Sequence, residues 1–91
     1  MSETIRIAIS TNTWDEISES WGSENGIDRM SPRWEIGKRL THIRLTMEEA
    51  SDLKHYLSGR LALYESAPEI RQQEPGLIPR YRRDVARLSG V

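Results

Sequence analysis

The stretch from Thr46 to Ser66 constrains this chain more than any other. Thr46-Met47-Glu48-Glu49 spells a capping box, in which the threonine hydroxyl and the glutamate three residues on satisfy each other's backbone N–H groups. Two acids in the first turn also suit the positive end of the helix dipole. Ala50, Leu53, Leu57, Leu61 and Tyr64 then recur at helical spacing, and Pro68 stops the run. The pattern predicts a helix over about 46–66 with one apolar stripe that must lie on another layer. Tyr56 and Leu63 form a second flank with Gly59 between them. A second flank of this kind suits self-association, so a homodimer joined at Tyr56, Gly59 and Leu63 is expected.

The other layer reads as strands. Ile5, Ile7 and Ile9 alternate with Arg6 and Ala8, the period-two signature of a strand with one buried face. Trp34 and Ile36, then Ile43 and Leu45, alternate in the same way around Gly37-Lys38, which predicts a hairpin of strands near 33–37 and 40–46. Between these segments Trp14, Ile17 and Trp21 recur at helical spacing, and Thr13 with Glu16 matches a second capping box, so a short helix is expected over about 13–21. The apolar-poor run Gly22-Ser23-Glu24-Asn25-Gly26 predicts a flexible loop near 22–32. Past the long helix, Ser66-Ala67-Pro68-Glu69 suits one extra turn anchored by Ile70. Pro79 suits the first position of a closing helix that buries Tyr81, Val85 and Leu88 and ends at Gly90. The expected fold is α+β: a small antiparallel sheet of about three strands packed against one long helix, with a C-terminal helix beside it or reaching a neighbouring subunit.

Composition narrows the function classes. Ninety-one residues with nine Ile, eight Leu, two Val and no Phe make a single domain spanning 1–91 with a thin core. The absence of cysteine excludes disulfides, thiolate metal sites and a thiol nucleophile. The start Met-Ser-Glu-Thr-Ile-Arg leads into no long apolar run, and stretches such as Ile7-Ala8-Ile9 are only three residues long. No signal peptide or membrane span is expected, and a cytoplasmic location follows by default. Residues 1–36 hold seven acids and three bases, whereas 37–91 hold ten bases and seven acids. That asymmetry can orient docking.

Catalysis has little support. His42 and His55 are the only histidines, with no zinc spacing between them. Neither a nucleophile elbow nor a phosphate-binding glycine loop is present. No enzyme, cofactor or metal is therefore expected.

Two surfaces stand out instead. Trp14 and Trp21, with Glu19 beside them and Asp15, Glu16 and Glu24 around, read as an aromatic pair with an acidic rim for a basic protein partner. Core filling is the competing account, and it is the preferred one for Trp34. Arg80, Arg83 and Arg87 share one face of the closing helix, flanked by Arg82, a stripe that suits several phosphates. Its competing account is a solvated face with helical pairs such as Arg80–Asp84. The expected function is a small non-catalytic protein that binds another protein as adaptor, inhibitor or regulator, an accessory protein of a bacterium or phage. The alternative is a nucleic-acid-binding regulator using the arginine helix. A ligand-sequestering or structural homo-oligomer is the third class.

Overall fold

A computed structural model describes residues 3–27 and 30–90 of the chain. Strand β1 (Ile5–Ser10) leads into helix α1 (Thr11–Ile17), which continues as a π-helical run, Ser18–Gly22. Strands β2 (Trp34–Glu35) and β3 (Leu40–Leu45) follow, then α2 (Met47–Glu65), α3 (Pro68–Gln73) and α4 (Leu77–Ser89). Among the described residues the sheet has three strands in the order β1-β3-β2, and both pairings are antiparallel. The chain is α+β, with the long helix and the C-terminal helix where the sequence pattern puts them.

The alternation in β1 and β3 works as a pleat should. Register pairs Ile7 with Ile43 and Ile9 with Thr41, and all four are buried. Arg6, Ala8, His42 and Arg44 take the opposite face by period two. Helix α2 opens on the complete capping box of Thr46 and Glu49 and buries Ala50, Leu53 and Leu57. Leu61 and Tyr64 pack at the margin of the same cluster. Helix α4 lies beside α2, where the Tyr64 and Tyr81 rings meet edge to face with centroids 5.2 Å apart.

Three local expectations differ. The short helix starts two residues earlier than 13 and is not capped by Thr13, because the Thr13 hydroxyl donates to Asp84 Oδ2 at 2.6 Å. Glu16, the other half of that expected box, accepts from the Tyr81 hydroxyl at 2.9 Å. Long-range partners win over the local cap. Second, β2 has only two residues, because the turn after it is drawn onto the start of α1. The Thr11 N–H donates to the Arg39 carbonyl at 2.8 Å and the Thr11 hydroxyl donates to the Gly37 carbonyl at 2.7 Å. Third, helix α4 begins at Leu77, so Pro79 stands third in the first turn, where its missing N–H still costs nothing.

The expected flexible loop near 22–32 contains anchored residues. Ile27 is fully buried and its N–H donates to the Gly22 carbonyl at 2.7 Å. A Cβ on Gly22 would stand 2.8 Å from the Ile27 carbonyl oxygen, so this close approach requires glycine. Gly26 holds φ +73°, the left-handed conformation that glycine adopts without strain. Asp28 and Arg29 in that loop lie outside the described residues.

Candidate functional site

Asp84 assembles the site. It is fully buried on α4, where its Oδ1 accepts from the Ser10 N–H at 2.8 Å and the Ser10 hydroxyl at 3.0 Å. Arg87 Nη1 donates to the same oxygen at 2.5 Å, and Thr13 occupies the other. A buried carboxylate needs this many donors to offset its lost hydration. The effect is to clamp α4 onto the junction of β1 and α1. That junction also holds the β2–β3 turn through Thr11, so α4 and the turn face each other across a fixed gap.

The gap is an open cleft of about 590 Å³. Arg80, Arg83 and Arg87 line it from α4, and Lys38 and Arg39 line it from the turn. Ser10, Asn12 and Leu40 complete its walls, and among the described residues no carboxylate lines it. Two acids stand behind the lining. Glu16 Oε2 holds Arg80 Nη2 at 2.5 Å, and Asp84 holds Arg87. Five cations against these two carboxylates leave a surplus of three. Among the described residues no carboxylate pairs with Lys38, Arg39 or Arg83. In a chain of net charge −1, this concentrates positive potential at one end of the sheet.

The members of the arginine stripe therefore differ in kind. Arg80 is largely enclosed, with 14% of its side chain exposed, and its Nη1 is buried without a hydrogen-bond partner. Tyr81 beside it has its phenol pushed above the ordinary range by burial and by the Glu16 carboxylate. Arg87 neutralises a buried charge. Only Arg83 is a free surface cation. Arg82 pairs instead with Glu65 Oε2 at 2.7 Å, fastening α4 to the end of α2, and does not line the cleft. The sequence pattern located the stripe but missed Lys38 and Arg39, two adjacent bases that read only as turn residues. It also missed the role of Asp84, which only the competing account paired, with Arg80, and which pairs with Arg87.

The expected aromatic surface lies elsewhere. Trp14 and Trp21 are 1% and 2% exposed and belong to the core, so they offer no area to a partner. Helix spacing placed both on one apolar face, and that face joins the buried cluster shared by the sheet and α2. The Trp21 indole N–H donates to Asp52 Oδ2 at 2.8 Å. Trp34, expected to be the core tryptophan, is half-buried and lies against Trp14 with ring centroids 5.9 Å apart. Glu19 is exposed on the π-helical run. On α2, Leu63 is 69% exposed and Gly59 faces open space. Tyr56 is half-buried and engaged within the chain by the Ser20 hydroxyl at 3.1 Å and Arg60 Nη1 at 3.1 Å.

A second pocket of about 300 Å³ lies on the outer face of the sheet, lined by Arg6, Arg33, Arg44, His42, Glu35 and Pro32. Arg33 is committed to Glu49 through both its terminal nitrogens. Arg6 reaches Glu35 only at 3.6 Å. Among the described residues no group of three His, Cys, Asp or Glu is placed to hold a metal ion, and no helix is long and apolar enough to cross a membrane. Comparison with known proteins yields no family model, curated protein or solved structure that matches this chain.

Proposed function

We propose that this is a non-catalytic nucleic-acid-binding regulator of the cytoplasm, whose cleft holds the sugar–phosphate backbone. One observation carries the reading: Lys38 and Arg39 converge with Arg80, Arg83 and Arg87 around a cleft that, among the described residues, no carboxylate lines. Arginine forks and a lysine point charge are the groups that grip phosphate. No aromatic side chain lines the cleft, so the contact is with phosphates rather than stacked bases and is expected to tolerate any sequence. The protein-binding reading loses its basis once Trp14 and Trp21 are counted as core.

Fluorescence anisotropy of labelled oligonucleotides across a salt series tests the proposal. The logarithm of affinity should fall linearly with that of salt. Lys38→Gln, Arg39→Gln and Arg83→Gln should each reduce the slope by about 0.7 on single strands. These three are the informative positions, because Arg80 and Arg87 also hold the fold. Absence of binding at low salt, or slopes untouched by all three substitutions, overturns the reading. Capture of an acidic protein in place of nucleic acid is the outcome that would restore the protein-partner class.

A further inference from the structure

Resting on that reading, we infer that the ligand is a single strand that leaves the cleft and runs along the outer face of the sheet to the second basic pocket. The register supplies the path. Ser10 pairs with Leu40 at the cleft, Ala8 with His42 in the middle, and Arg6 with Arg44 at the far end. Each pair is two residues from the next, so all three present the same face, and the path from first to last is roughly 13 Å. Its two ends are the two basic pockets. Arg6 and Arg44 stand directly opposite each other, both exposed, an arrangement of like charges that Glu35, 3.6 Å from Arg6, offsets only in part and a phosphate would relieve. Arg44 Nη2 is steadied by the Pro32 carbonyl at 2.8 Å and stays accessible. Ala8 leaves room at the midpoint, and His42 offers a ring edge with a donor and an acceptor.

Shape selects the single strand. A duplex is read by an element that protrudes into a groove, whereas here the α4 cations line a concavity and the rest of the path is a sheet face. A flexible strand can bend into the cleft and lie on the sheet, tracked by its phosphates. Among the described residues Glu35 is the one carboxylate on the route, 81% exposed, and it faces the strand's negative charge.

That acid gives the decisive variant. Glu35→Gln should raise single-strand affinity about two- to fivefold, the size of one exposed charge interaction, and gives up only the long, exposed pair with Arg6 at 3.6 Å. Arg6→Gln and Arg44→Gln should each reduce the single-strand salt slope by about 0.7, with melting temperatures unchanged or slightly raised as the like-charge pair is relieved. A duplex of the same sequence should bind more weakly. Should the cleft variants weaken binding while Glu35→Gln, Arg6→Gln and Arg44→Gln leave affinity and slope alone, the path is wrong and the cleft reading stands. Tighter binding of duplex than of single strand overturns the choice of ligand. If no nucleic acid binds at all, both readings fall together.

Discussion

The Thr13 hydroxyl reaches the Asp84 carboxylate at 2.6 Å, fastening the first helix to the last across most of the sequence. Asp84→Ala removes the shared acceptor of Ser10, Thr13 and Arg87 at once. It leaves buried donors unpaired, and the expected cost is about 3–5 kcal/mol. Thr13→Val deletes a single bond and should cost about 1–3 kcal/mol. Denaturant titrations of the two variants check the order; equal small losses would mean the cluster is not a fastener.

Within the arginine stripe, stability should separate the residues that affinity alone would group. Arg83→Gln should change unfolding free energy by less than about 0.5 kcal/mol. Arg87→Gln leaves the Asp84 charge buried with only neutral donors, and about 1–3 kcal/mol is expected. Thermal melts of both, compared under one buffer, measure the difference.

The tryptophans should rank by burial. Trp14→Ala and Trp21→Ala should each cost about 3–5 kcal/mol, and Trp34→Ala less, since Trp34 is only half-buried. Trp21→Phe should cost more than Trp14→Phe, because the Trp21 indole N–H donates to Asp52 whereas Trp14 Nε1 has no partner. A Trp34→Ala loss that matched the other two would contradict the packing described.

Acid should weaken the start of α2. The hydrogen bond from Arg33, opposed by burial and aided by the Thr46 N–H, holds the Glu49 carboxyl below the usual carboxylate range. A depressed value in the folded chain means that Glu49 contributes stability at pH above its ordinary value of 4.5, and loses it as pH falls through the folded value. Glu49→Gln should therefore cost about 1 kcal/mol near neutral pH. The gap between wild type and variant should close below pH 4.5, as followed by melting temperature; a gap that is constant with pH would remove the charge from the account.

Leu63→Glu tests self-association with little risk to the fold. The side chain is 69% exposed, so a stability change under about 0.5 kcal/mol is expected. Any change in sedimentation then reports association through this ridge and not unfolding. A large loss of stability would mean that Leu63 packs within the protomer.

Local chemistry was legible wherever a segment's own residues satisfied one another. The α2 capping box, the alternation of β1 and β3 and the inward side of α4 all follow from periods and caps that neighbours in sequence complete. Where a polar side chain had both a local and a distant partner, the local reading failed: Thr13 and Glu16 were spelled as a cap and became the partners of Asp84 and Tyr81. The burial of the tryptophan pair failed in a related way. A helical stripe states which residues share a face, but whether that face meets a sheet or a partner depends on what packs over it. The site belongs to the same class. Spacing within α4 determined that Arg80, Arg83 and Arg87 stand together. Only the tertiary structure decided that Lys38 and Arg39 face them, because the gap between the turn and α4 is set by Thr11 and Asp84, whose bonds join residues 26 to 74 positions apart.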